Sequence, residues 1–288
     1  MEEIYIKARA KINLNLEILN KREDNYHNIK SVFQKINLYD EIFIKKSNID
    51  GIELQTNIEG LNNEENIVYK AYYKLKEKYK DITGIKVIIN KKIPMQAGLG
   101  GGSTDCASFI FSMNKLFNLK LSKKEIENIG KSLGADVVPC LYNKAVLAEG
   151  IGDIITPIDT KFKYYIVIVK PNLSCNTREM YELIDKRKEL RIIDKSTFII
   201  NGLKNNNLKQ ISNNLHNRFE DIIEKNKYIK EIKCEMIRNG ALGSLMTGAG
   251  SCVYGLFENK KTAKSAYENF KKKYQTYICT SYNSKSTL

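Results

Sequence analysis

Four of the five residues from Gly98 to Gly102 are glycine, interrupted only by Leu99. Without Cβ atoms, such a run adopts positive φ angles freely and lets its backbone approach another group closely. A run of this kind must be placed by what flanks it. Upstream, Ile85 to Asn90 reads as a strand; downstream, Cys106, Ala107, Phe109, Ile110, Met113, Leu116 and Phe117 recur at helical spacing. The pattern predicts strand, glycine turn, helix, with the helix beginning where the glycines stop. That arrangement aims free backbone N–H groups and the positive end of a helix dipole at an anion, and Ser103 and Thr104 add hydroxyls there. The glycines alone are equally compatible with a plain loop capped by Ser or Thr. It is not a Walker A loop, because no lysine follows Gly102, so a cation for a phosphate must come from elsewhere.

The rest of the chain reads as α+β. Residues 4 to 19 alternate, with Ile6, Ala8, Ala10, Ile12, Leu14, Leu16 and Ile18 on one face and Lys7, Arg9, Lys11, Asn13, Asn15 and Glu17 on the other. This predicts a half-buried strand, or two in succession, whose polar face meets solvent unless function claims it. Strands are also predicted over Glu41–Lys46, Gly51–Gln55, Ala145–Ala148, Asp153–Ile158 and Tyr165–Val169, and helices over Glu65–Tyr79 and Ser122–Leu133. Polar residues from Asp159 to Lys163 mark a boundary, giving domains 1–160 and 161–288. Beyond it, helices are predicted over Thr177–Arg187, Asp194–Leu203, Leu215–Ile223 and Ile229–Asn239. The chain then reads strand Gly243–Met246, strand Cys252–Phe257, helix Lys261–Lys273, strand Thr276–Thr280, an alternation suggesting a ferredoxin-like domain.

The formal net charge of +14 favours phosphates and nucleotides at long range, but the lysines are scattered among Asn, Ile and Glu with no arginine–aromatic cluster. A solvated basic surface is therefore expected, and no nucleic-acid partner. Cys106, Cys140, Cys175, Cys234, Cys252 and Cys279 form no CxxC pair and no metal-like spacing with His27 or His216, which argues against structural zinc. An acidic N-terminus and the lack of a long apolar run predict no membrane partner and a cytoplasmic protein.

Four segments in order, Lys7-Ala8-Arg9-Ala10-Lys11-Ile12-Asn13-Leu14, Lys92-Ile93-Pro94 through Ala107, Gly134-Ala135-Asp136-Val137, and Met246-Thr247-Gly248-Ala249-Gly250, resemble the GHMP small-molecule kinase family. Tyr26-His27 and Lys170-Pro171-Asn172 through Tyr181 resemble substrate-binding segments of members acting on a cytidine diphosphate-linked methylerythritol. The resemblance spans nearly the whole chain. It implies a two-domain fold, with an N-terminal domain like the second domain of ribosomal protein S5 and a ferredoxin-like C-terminal domain. It also implies ATP as phosphoryl donor, with a divalent ion such as Mg2+ whose ligands are unassigned. Lys11 and Asp136 would be catalytic, the aspartate as base and the lysine as its ionic partner. Pro94, Gln96, Ala97, Gly98, Leu99, Gly100, Gly101, Gly102, Ser103 and Thr104, with Asn66, would hold the nucleotide. Asn13, Thr177, the stacking tyrosines Tyr26 and Tyr181, and His27 would hold the substrate. Other family members, such as mevalonate or homoserine kinases, and an RNA-binding protein on a degenerate kinase fold remain alternatives; neither kinase has a cytosine to stack.

Overall fold

The computed structural model describes residues 1–187, 191–222 and 227–284. The first half comprises β1 (Glu3–Lys21), β2 (His27–Ser47), β3 (Ile52–Thr56), α1 (Ile67–Lys78), β4 (Gly84–Asn90), α2 (Gly101–Leu116), α3 (Lys123–Leu133), α4 (Val137–Cys140), β5 (Val146–Glu149) and β6 (Ile154–Pro157). The second comprises β7 (Tyr165–Lys170), α5 (Thr177–Asp185), α6 (Ser196–Lys204), α7 (Leu208–Asn213), β8 (His216–Asn217), α8 (Arg218–Ile222), α9 (Lys227–Arg238), β9 (Gly243–Met246), β10 (Val253–Phe257), α10 (Lys260–Phe270) and β11 (Gln275–Thr280). The fold is α+β.

The first sheet runs β3-β4-β2-β1-β8, with β5 paired to β2 and β6 to β5. Helices α1, α2 and α3 bury Val68, Phe109, Met113 and Ile126 in one core with Ile42, Ile44, Val87 and Ile89 of the sheet. Ser122 closes a capping box with Glu125 at the start of α3, as a Ser-x-x-Glu sequence does. The second sheet is antiparallel in the order β11-β7-β10-β9, the ferredoxin-like arrangement, with α9 and α10 supplying Ile232, Met236, Ala263 and Phe270 to its core. Among the described residues no helix is long and apolar enough to cross a membrane.

Two strands differ from expectation for one reason. Alternation predicts a solvent-facing row on β1, yet Lys11, Asn13, Asn15 and Glu17 are as buried as their apolar neighbours. On β2 the sequence predicts a strand only from Glu41, whereas pairing with β1 starts at His27, because Ser31, Gln34 and Lys35 are buried beside Val32, Phe33 and Ile36 and mask the alternation. The polar rows of these strands lie inside, against elements from the far end of the chain.

At one end of that seam, β8 pairs with β1 in parallel, Asn15 opposite His216 and Leu16 opposite Asn217. This corrects the helix expected over Leu215–Ile223: the pairing makes 216–217 extended, and Asn217 accepts from the Phe219 amide at 3.0 Å as α8 starts. Ile223 lies outside the described residues. Just beyond, the guanidinium of Arg218 grips both oxygens of fully buried Glu17, at 2.7 and 2.8 Å, and the Ile193 amide donates to the same carboxylate at 2.8 Å. Burial opposes the charge on Glu17, but His216, Arg218 and the Ile193 amide outweigh it and hold its pKa below the ordinary value.

Removing one partner of a buried pair strands the other charge. Glu17→Ala is expected to cost about 3–5 kcal/mol in urea unfolding, against under about 0.5 kcal/mol for Arg178→Ala, which breaks only the exposed pair with Glu182. Equal losses in the two variants would contradict the buried clamp. The stability that Glu17 gives through its lowered pKa is present above the unfolded glutamate value and disappears as pH falls through the folded one.

Candidate active site

The loop between β4 and α2 is shaped by contacts on its outer side. Gly98 and Gly100 have φ of +70° and +68°, where other residues are strained. A Cβ on Gly98 would lie 1.9 Å from the carbonyl oxygen of Thr247, and one on Gly248 would lie 3.0 Å from the Cα of Gly98. Two glycine turns therefore meet backbone to backbone. The hydroxyl of Thr247 donates to the Gly98 carbonyl at 3.1 Å, and the Lys11 amide donates to that of Leu99 at 3.0 Å. Gly100 sits in the left-handed region at the helix cap, and the amides of Gly101, Gly102 and Ser103 form the first turn of α2, beyond reach of any intrahelical carbonyl.

This turn opens onto a cavity of about 490 Å3 lined by the loop, Lys11, Asn13, Asn66, Asp136, Thr177, Tyr181 and Gly248. Lys11 Nζ lies 3.6 Å from Asp136 Oδ2; the lysine side chain is 4% exposed and the aspartate 49%. Asp136 stands at the head of α4 but makes no side-chain capping bond, so its carboxylate is left for the cavity. Lys11 Nζ also donates to Asn13 Oδ1 at 3.0 Å and lies 4.8 Å from the Phe33 ring centre, a cation–π contact. The strand register shifts between Arg9 and Lys11 and again between Asn13 and Asn15, so irregularities flank both site residues, as bulges commonly do near sites.

Asn13 ties the halves together. Its Oδ1 accepts from the Gly248 amide at 3.1 Å, its Nδ2 donates to Ser31 Oγ at 2.9 Å, and its carbonyl accepts from the Tyr254 hydroxyl at 2.8 Å. On the opposite wall Tyr181 stacks with His27 (ring centres 4.8 Å apart, 20° between planes) and meets Phe219 edge-on. Asp185, one turn beyond Tyr181 on α5, accepts from His27 Nε2 at 2.7 Å. Tyr26 is largely exposed at the turn before β2, and neither it nor His27 lines the cavity itself.

The other sequence-derived candidates fall as follows. Pro94, Gln96, Ala97 and Leu99 line the cavity with the glycines and Ser103. Thr104 departs from expectation: its hydroxyl turns inward, donating to the Arg9 carbonyl at 2.5 Å and accepting from Lys35 Nζ at 2.9 Å. The cause is buried Lys35, which carries no carboxylate partner and needs acceptors. Burial is the main cause of its lowered pKa, with Lys11 and Arg9 adding to it. Asn66 caps α1, accepting from the Val68 amide at 3.0 Å, while Asn176 rather than Thr177 caps α5. Sequence reasoning missed Lys91, Asp40 and Asp105, a buried ion cluster beneath the loop, and Asp185 behind His27. For Asp185 the i, i+4 spacing from Tyr181 was a usable signal. Asp40 and Lys91 are 51 positions apart and gave none.

Family models describing the GHMP kinases N terminal domain and the GHMP kinases C terminal match residues 66–144 and 199–276. Curated relatives called 4-diphosphocytidyl-2-C-methyl-D-erythritol kinase are 40% identical in Alkaliphilus oremlandii, with 98% of each chain covered, and 39% in Clostridioides difficile, with 98% of this chain and 96% of that one. The crystal structure of a 4-(cytidine 5'-diphospho)-2C-methyl-D-erythritol kinase superposes with a TM-score of 0.84 at 25% identity, covering 98% of this chain and all of that one. A mevalonate kinase of L. major shares the fold at a TM-score of 0.78 and 16% identity, covering 99% of this chain and 98% of that one.

The backbone-to-backbone contact is testable. Gly98→Ala, strained in φ and blocked by the Thr247 carbonyl, should weaken ADP binding at least about tenfold by calorimetry and destabilise the fold by about 1–3 kcal/mol. Gly102→Ala, whose Cβ would meet nothing closer than Ile67 Cγ2 at 4.0 Å, should leave the melting temperature nearly unchanged. Similar melting for both would remove the packing argument.

Proposed function

The chain belongs to the GHMP kinases, and on that premise we propose that it transfers the γ-phosphoryl group of ATP to the 2-hydroxyl of 4-diphosphocytidyl-2-C-methyl-D-erythritol, a step of the non-mevalonate isoprenoid pathway. The observation that carries the reading is the Lys11–Asp136 pair facing the glycine turn across one cavity, in a chain that matches enzymes of that name from end to end. Phosphoryl transfer needs positioning and charge neutralisation more than covalent chemistry. The Gly101–Ser103 amides and the α2 dipole suit the phosphates, and Lys11 is near enough to neutralise the moving group. Asp136 would accept the hydroxyl proton, with Lys11 Nζ 3.6 Å from its Oδ2. Asn13 holds Lys11 in place, which favours a positioning role beside any substrate contact.

Tyr181, backed by Phe219 and stacked with His27, offers the rigid aromatic face that a pyrimidine needs, with Thr177 on the same wall; Tyr26, exposed at the turn before β2, would add a second ring. Asn66 and the loop from Pro94 to Ser103 would hold ATP, while Thr104 keeps its hydroxyl on Arg9 and Lys35 and its amide on the Gly100 carbonyl. Among the described residues no three His, Cys, Asp or Glu side chains gather to hold a metal, so a protein-built cage does not fit. Magnesium brought in on the phosphates belongs to the proposal, as does a cytoplasmic location.

Coupled ADP release should show turnover with 4-diphosphocytidyl-2-C-methyl-D-erythritol and none with mevalonate, homoserine or galactose; turnover with another acceptor alone would discard the substrate. Asp136→Asn should lower kcat at least about a hundredfold while KM for the cytidyl substrate moves little. Near-normal turnover would defeat the base assignment.

A further inference from the structure

Beneath the glycine turn, two acids share one lysine. Lys91 Nζ lies 2.5 Å from Asp105 Oδ2 and also contacts Asp40 Oδ2, and the three side chains are 5%, 6% and 0% exposed. The acids are not equivalent. Asp40 is satisfied as an anion, its Oδ1 accepting from the amides of Lys92 and Ile93 at 2.5 and 2.8 Å. The Oδ1 of Asp105 is buried with no hydrogen-bond partner, which makes Asp105 the costly one to ionise. Burial first, then the charge of Asp40, outweighs Lys91 and pushes the Asp105 pKa up to about 8.

The cluster touches the place where phosphates would sit. Lys91 and Asp105 both line the cavity, and Lys91 Nζ lies 3.5 Å from the position a Cβ would take on Gly101. With Asp105 protonated, Lys91 and Asp40 balance; with Asp105 ionised, the cluster carries one net negative charge beside an anion site. We propose that Asp105, acting through Lys91, is a positioning residue whose ionisation weakens the hold of the glycine turn on a polyphosphate. The inference rests on the reading that this turn binds the nucleotide.

One other group around α2 acts with the same sign: buried Lys35, whose pKa is lowered, loses a positive charge as pH rises, and the Asp105→Asn variant keeps it in place as the control. β1 brings Arg9 and Lys11, and β2 brings Lys35 and Asp40. Cys106 on α2 and Cys140 on α4 are thiols held neutral by burial. Toward the core, α1 presents Val68, Ala71, Leu75 and Tyr72, whose phenol burial pushes up, and α3 presents Ile126 and Ile129.

Calorimetric binding of magnesium-free ADP at pH 7 and pH 9 reads the effect. Affinity of the native protein should fall by roughly five- to tenfold across that range, whereas Asp105→Asn, which retains every other titrating group, should change by less than about twofold. At pH 8 the native protein should also take up protons on binding ADP, seen as a binding enthalpy that varies with the ionisation heat of the buffer. The same pH slope in both proteins, or binding without proton uptake, overturns the inference and leaves the kinase reading intact. Failure to bind ADP at either pH overturns both. If the variant does not fold, the 13C shift of the Asp105 carboxyl in the native protein decides the matter: titration between pH 7 and pH 9 that moves upward with ADP sustains the inference, and a carboxyl that does not titrate there overturns it.

Discussion

Everything else in the structure depends on burying the polar row of β1. Lys11, Asn13, Asn15 and Glu17 are removed from water, and a buried polar group without a partner costs several times what a satisfied one gains. Each is therefore matched. Lys11 finds Asp136 and Asn13; Asn13 finds Ser31 and the Gly248 amide; Asn15 accepts from the Val32 amide at 2.8 Å; Glu17 finds Arg218. Two of these partners, Gly248 and Arg218, come from the second half of the chain, so satisfying one strand also fixes how the two halves meet. One catalytic candidate, Lys11, belongs to that row, and Asn13, which holds it, also makes the bond to Gly248 that joins the halves.

The glycine turn follows from this docking. Thr247 and Gly248 reach Asn13 and, in the same two residues, press against Gly98. The turn is thus braced from behind in its anion-ready form before any ligand arrives, so the ordering cost is met in folding and not in binding. Its glycines answer two demands at once: open backbone toward the cavity and clearance for a second backbone on the opposite side.

Much of this was legible in the sequence. Strand, glycine turn and helix, and the closing strand and helix alternation, rest on local patterns that survive burial, whereas Lys11 and Asp136 were singled out by the resemblance of their segments to the family. What stayed hidden depended on distant contacts. Alternation on β1 separates two faces but cannot say that the polar one is covered, and on β2 the buried Ser31, Gln34 and Lys35 erase the period altogether. The helical pattern near Leu215 gave way to two residues of strand because β1 offered free pairing positions. Thr104 looked like its neighbour Ser103, and only the demand of Lys35 from another strand turned it inward.

The long hairpin of β1 and β2 precedes the second half in the chain and so leaves the ribosome before it. Its pairing is sequence-local, so it can form while the second half is still being made. The face left waiting for that half includes Ala10, Ile12, Leu14, Leu16 and Ile18, which later pack against Ile166, Val167, Ile168 and Val169 of the second sheet. The nascent first half thus carries an apolar strip that only the second half covers, so prompt docking of the second sheet and its helices is what keeps that intermediate from aggregating.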